Sequence, residues 1–127
     1  MTVILDAGGI SALAGRRGRL AQWAARASTV KVPAVVIAEV LTGDHRRDHE
    51  TNRLLGFCTI VDIDESIARE GARLRTLTGR AGTISATDAI VAACAAGQND
   101  PIVLTSDPKD LLALAEGSPL PMKIHAV

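Results

Sequence analysis

The sequence predicts an α/β fold: a three-layer sandwich with a central, mostly parallel sheet of four to five strands between helices. Three observations predict it. Short runs at Thr2–Leu5, Thr29–Val32, Thr59–Val61 and Ile102–Thr105 are rich in β-branched residues, and the first and last are continuous apolar runs, as befits strands buried on both faces. Stretches of helical length and periodicity separate them. Capping residues and glycines fall where those stretches should start and stop.

In chain order, Thr2–Leu5 forms the first strand and ends on Asp6, followed by Gly8-Gly9. An acid at the carboxyl end of a parallel strand is either a site residue or a helix cap. Ile10–Ala14 reads as one or two helical turns and Leu20–Ala27, with Trp23, as a second piece, the arginines between them breaking the apolar pattern. After the strand at Thr29–Val32, Pro33 suits the first turn of a helix. Val35–Leu41 is β-branched but carries Ala38 and Glu39, and its length favours helix. Asp44–Gly56 is a polar surface helix. Asp64 caps a helix to about Leu77, with Ile67, Gly71, Leu74 and Leu77 at helical spacing. Residues 79–82 form a loop, Ser85 starts a helix closed by Gly97, and Asp107-Pro108 starts a last helix to about Ala115. Met122–Ile124 is an edge strand after two prolines.

A length of 127 residues is read as a single domain, 1–127, able to bury roughly two thirds of its unfolded surface. With 47% hydrophobic and 22% charged residues the composition is that of a soluble globular protein. The formal net charge is zero, but residues 7–38 hold Arg16, Arg17, Arg19, Arg26 and Lys31 and no acid, a segregation that admits a polyanionic partner. Cys58 and Cys94 are expected to be reduced core residues. No apolar run approaches the ~20 residues of a membrane span, and no basic-then-apolar leader is visible, so a cytoplasmic protein is expected. There is no internal repeat or low-complexity segment.

Four acids stand at conspicuous positions. Asp6 and Asp107 directly follow buried-type strands, so a parallel sheet brings both to one edge. Glu39 is the only charge between Val32 and Leu41, where an unpaired carboxylate is costly. Asp88 begins a helix. Each also has a plain structural reading: Ser85 and Asp88 fit a capping box, and Asp107 before Pro108, with Asp110 three residues on, fits an N-cap. Together they favour a site, because clustered carboxylates persist only where a cation or shared protons neutralise them. An all-oxygen cluster favours Mg²⁺ or Mn²⁺. His45 and His49 have i, i+4 spacing but no HExxH glutamate and no third ligand, so they read as a solvated helix face, as does His125 near the end.

The pieces Val3-Ile4-Leu5-Asp6, Ala38-Glu39-Val40-Leu41, Ser85-Ala86-Thr87-Asp88-Ala89-Ile90 and Ile102-Val103-Leu104-Thr105-Ser106-Asp107 occur in this order over nearly the whole chain. This arrangement resembles the PIN-domain nucleases, and the size resembles their VapC-type toxins of bacterial toxin–antitoxin pairs. The resemblance implies a Mg²⁺- or Mn²⁺-dependent endoribonuclease, held inactive by a cognate antitoxin and assembled as a homodimer. It implies that Asp6, Glu39 and Asp88 hold the metal, with Asp107 completing the negative pocket. Thr105 and Ser106 would orient water or a ligand carboxylate. Two departures stand out: Gly8 occupies a place where members usually carry a hydroxyl or amide, and Lys109 and Asp110 follow the last motif, so Asp107 and Asp110 both remain candidates for the fourth acid.

Arginine, 11 of the 14 basic residues, suits phosphate bidentately, and the groups Arg16, Arg17, Arg19 and Arg73, Arg75, Arg80 are the candidates for binding RNA. With Trp23 and Phe57 the only aromatics, rows of stacked bases are not expected. A receiver domain, a D-x-D phosphatase and a dinucleotide-binding fold fail at Asp6-Ala7-Gly8-Gly9. The principal alternative is a catalytically weak or inert PIN-like fold acting as a protein- or RNA-binding module.

Overall fold

The computed structural model describes residues 1–127. Strands β1 (Thr2–Leu5), β2 (Thr29–Pro33), β3 (Thr59–Val61), β4 (Pro101–Thr105) and β5 (Lys123–Ala126) form one sheet in the order β3-β2-β1-β4-β5. Every neighbouring pair is parallel, with Leu5 level with Leu104 and Thr105 level with Ala126. The two central strands, β1 and β4, are buried throughout, which is why their sequences show apolar runs rather than alternation.

Seven helices connect and cover them: α1 (Ala7–Leu13), α2 (Arg17–Arg26), α3 (Ala34–Val40), α4 (His45–Gly56), α5 (Glu65–Leu77), α6 (Ala86–Ala96) and α7 (Pro108–Ala115). Right-handed crossovers from β1 to β2 to β3 place α1–α4 on one face. The return crossover to β4 and the step to β5 place α5–α7 on the other. The contacts agree: α1 packs on α2, α3 and α4, whereas α5, α6 and α7 pack on one another. Small residues seat α5 on α6, where a Cβ at Gly71 would stand 3.3 Å from the Ala89 backbone.

The core is a cluster of 21 buried apolar residues contributed mainly by β1, β2, β4, α6 and the inner faces of α1, α3, α4, α5 and α7. Several boundaries differ from the sequence expectation for local reasons. α1 starts at Ala7 rather than Ile10, because Asp6 caps it. α2 begins at Arg17, so Arg17 and Arg19 lie within the helix and Arg16 is its N-cap; it has no fully buried residue and is held by half-buried Leu20 and Trp23. Pro33 ends β2 instead of opening the helix, and Ala34–Val40 is helical despite its β-branched content. Cys94 is buried and Cys58 half-buried; neither forms a disulfide. Burial pushes both thiols up to about 11, so they stay protonated at neutral pH.

Candidate active site

The chain leaves β1 for β2 in one direction and leaves β4 for β5 in the other. The carboxyl ends of β1 and β4 therefore flank a topological switch point, the place where open parallel sheets bind ligands. Asp6 follows β1 there, and Thr105, Ser106 and Asp107 end β4.

Asp6 is 8% exposed and has both carboxylate oxygens held. Its Oδ1 accepts the Gly9 N–H at 2.7 Å as the N-cap of α1, and its Oδ2 accepts the Thr105 hydroxyl at 2.5 Å. The cap and site readings of Asp6 are thus compatible: one oxygen serves the helix while lone pairs on both remain free. Thr105 is 1% exposed; its oxygen also accepts the Asp107 N–H at 3.1 Å, and of its two acceptors Asp6 Oδ2 is far nearer than the Asp107 carbonyl at 3.3 Å. Burial raises the Asp6 carboxyl above its ordinary value, the bonds from Thr105 and Gly9 oppose this, and the charge of Glu39 adds to the rise.

Asp88 sits in the first turn of α6, where Ser85 caps its N–H at 3.1 Å. Its carboxyl is also raised, first by burial and then by the charges of Asp6, Asp110 and Glu39, against a hydrogen bond with Ser85. The charge of Glu39 on α3 therefore reaches both Asp6 after β1 and Asp88 on α6, and that of Asp6 reaches Asp88. Asp107 is exposed, and as N-cap of α7 its side chain bonds no backbone N–H. Asp110 does act on Asp88, and it is bound to Arg80 at 2.7 Å. In this conformation no three His, Cys, Asp or Glu side chains stand close enough to enclose a metal ion.

Two glycines make the close approach of β4 and α1 possible. A Cβ at Gly9 would stand 2.2 Å from the Leu104 carbonyl oxygen, and one at Gly8 would stand 2.1 Å from Ser106 Oγ. The space that a side chain at position 8 would fill is thus taken by the Ser106 hydroxyl, which has no protein hydrogen-bond acceptor.

The candidate arginines fall into two sets. Arg73 binds Glu70 at 2.6 Å and the Gly117 carbonyl at 3.1 Å, Arg75 binds the Ile84 carbonyl at 2.6 Å, and Arg80 binds Asp110. Arg16, Arg17 and Arg19 are exposed and form no ion pair or side-chain hydrogen bond. Sequence reasoning missed Asp48, which it placed on a surface helix. Asp48 is 5% exposed and accepts from Thr42 N and Oγ1 and Gly43 N at 2.8–3.1 Å, tying the α3–α4 turn; these bonds, led by the Thr42 N–H, hold its carboxyl below the ordinary value.

Residues 3–117 match the family model of the PIN domain. The chain belongs to the PIN domain family. No curated protein matches it significantly. Its fold is shared with chains of toxin–antitoxin complexes. DNA-bound VapBC from Salmonella typhimurium matches with a TM-score of 0.75 at 15% identity, over 99% of this chain and 98% of that one. VapBC2 from Rickettsia felis, bound to a promoter DNA fragment, matches at 0.71 and 18%, over 98% and 99%. VapBC-5 from Mycobacterium tuberculosis, of the VapBC toxin–antitoxin family, matches at 0.65 and 25%, over 99% and 98%. The PIN domain described here thus resembles VapC-type toxins across its length, and none of its helices is long and apolar enough to cross a membrane.

Proposed function

We propose that this PIN domain is the toxin of a toxin–antitoxin pair: a cytoplasmic endoribonuclease that hydrolyses RNA phosphodiester bonds with Mg²⁺ or Mn²⁺. The observation that carries the reading is the meeting of three acids at the sheet's switch point: burial raises the Asp6 and Asp88 carboxyls, and the charge of Glu39 adds to the rise of both. The donor set fits a hard divalent cation, since it is all carboxylate oxygen and Asp6 keeps free lone pairs on both oxygens. Asp6, Glu39 and Asp88 would hold the ion, with Asp107 or Asp110 completing the acidic rim. When bound, the metal supplies Lewis acidity and charge neutralisation at a phosphodiester and makes water a usable nucleophile.

The chain's own residues do the rest. Thr105 and Gly9 fix the plane of the Asp6 carboxylate from two sides, so it enters the site with little rotational freedom to lose. Ser85 anchors the first turn of α6 and with it Asp88. The Ser106 hydroxyl, free above Gly8, is placed to orient water or a phosphate oxygen. The unpaired Arg16, Arg17 and Arg19 attract the RNA backbone, and a cognate antitoxin and a second copy of the chain are the expected protein partners.

Cleavage of a mixed single-stranded and structured RNA pool with Mg²⁺ or Mn²⁺ tests this reading. Cutting should vanish in EDTA and in Asp6→Asn, and persistence in either would overturn it. The alternative is a catalytically weak or inert PIN-like fold acting as a protein- or RNA-binding module. Titration with Mn²⁺ separates the two: a metal site raises the melting temperature by mass action, about 2.7 kcal/mol at a hundredfold excess over Kd, whereas the inert module does not respond.

A further inference from the structure

We propose that Arg19, Trp23 and Arg26 on α2, with His125 on β5, form a nucleotide subsite. It stacks one unpaired base of single-stranded RNA on the Trp23 indole and holds the flanking phosphates on the two arginines. The inference rests on the ribonuclease reading above and adds a place for the strand outside the acids.

Spacing of i, i+4 and i+7 puts the three α2 residues on one face of that helix. The body of Trp23 packs against the core, the His125 ring meets it edge-on at 5.1 Å and 66°, and the Arg26 guanidinium lies 5.2 Å from its centroid. These groups, with Leu13 and Val127, line an open cavity of about 300 Å³. On its β5 side, Val127 N–H donates to the Thr105 carbonyl at 2.8 Å, and the Thr105 hydroxyl is bonded to Asp6. The end of β5 that lines the cavity is therefore tied, through Thr105, to the strand end that holds Asp6.

The charges point to a polyanion with an exposed π face. Residues 7–38 contain no acid, and neither Arg19 nor Arg26 makes an ion pair, whereas Arg69, Arg73 and Arg80 on the α5 side are all paired with acids. Arg26 is exposed, so its guanidinium can leave the ring for a phosphate as a base takes its place. Stacking tolerates any base but requires it to be unpaired, so the subsite selects single strands over duplexes rather than a sequence.

Trp23 is the only tryptophan and there is no tyrosine, so intrinsic fluorescence reports this cavity directly. The chain is titrated in EDTA, which stops metal-dependent cutting, with a single-stranded RNA of roughly 12 nucleotides, a duplex of the same composition, heparin and poly-glutamate. Saturable quenching by the single strand and little by the other three is expected. Arg19→Gln and Arg26→Gln should each weaken RNA binding several-fold and lower the slope of log affinity against log salt by about 0.7. Arg69→Gln should change neither, and circular dichroism melting confirms that each variant is folded. Absence of saturable quenching by the single strand, or an equal response to the duplex or heparin, overturns the proposal; an equal response to poly-glutamate overturns it too and gives the face to an acidic protein segment. A chain that cuts RNA with Mg²⁺ but shows no quenching keeps the nuclease reading and loses the subsite. Quenching without cutting does the reverse.

Discussion

Gly9→Ala sets two physical effects of opposite sign against each other. Gly9 lies inside α1, where alanine would by helix propensity alone gain about 1 kcal/mol. A Cβ there, however, would stand 2.2 Å from the Leu104 carbonyl oxygen and 3.0 Å from its carbon, roughly an ångström short of ordinary contact. That carbonyl belongs to a central strand paired on both sides and accepts the Asp6 N–H at 3.4 Å, so it is α1 that must lift. Lifting α1 also draws the Gly9 N–H away from Asp6 Oδ1, now at 2.7 Å. Overpacking costs about 1–3 kcal/mol, and an approach of 2.2 Å to a paired backbone carbonyl puts this case at the upper end, so about 3 less the propensity gain of about 1 leaves a net loss of about 2 kcal/mol. For a chain of this size the melting temperature should fall by roughly 5–10 °C. Thermal and urea unfolding followed by circular dichroism measure it, with RNA cleavage measured alongside because the same shift loosens Asp6. A melting temperature equal to or above wild type would refute the claim that α1 bears directly on β4.

Thr105→Val keeps the shape and removes the hydroxyl bonded to a carboxylate, so it should cost about 1.5–3 kcal/mol in urea unfolding. The same change lets the Asp6 carboxyl rise further, and the acid limb of the cleavage pH profile should move to higher pH. For Asp88 the folded carboxyl lies above its unfolded value, so its contribution is favourable below about pH 4 and is lost as pH rises through the raised value. Metal-free Asp88→Asn should therefore melt above wild type at pH 7, with the gap closing toward pH 4; a variant no more stable than wild type at pH 7 removes the claim of unfavourable burial. Asp48 runs the other way: its folded value is lowered, so its stabilisation is present above about pH 4 and lost as pH falls through the lowered value. Asp48→Asn should melt lower than wild type near neutrality and converge with it in acid, as a series of melts from pH 7 to pH 2.5 will show.

Much of the architecture was legible because it depends on local pattern. Ser85 and Asp64 bond the backbone N–H groups of Asp88 and Ile67 as the capping patterns imply, and Gly97 closes α6 where its apolar run ends. The ambiguous stretch Val35–Leu41 resolved as helix, and Met122–Ile124 extended into a fifth parallel strand through Ala126. Less legible were positions whose roles depend on partners distant in sequence. Asp48 looks like one more charge on a polar helix until the turn at Thr42-Gly43 folds back on it. Arg73, Arg75 and Arg80 look like a basic group until Glu70, the Ile84 carbonyl and Asp110 take them up.

The sequence by itself determined the parallel α/β layering, the order and nature of nearly every element, and the short list of acids. Strand burial, helical periodicity and capping are written in residues a few positions apart. Only the tertiary structure decided how those acids relate. Asp6 and Thr105 are 99 residues apart and share a hydrogen bond because β1 and β4 are adjacent. Gly8 and Ser106 are matched because a Cβ at one would displace the hydroxyl of the other. Which arginines stay free for a ligand followed from the same source: an ion pair is a matter of a few ångströms in space, and crossovers that carry the chain from one edge of the sheet to the other set those distances.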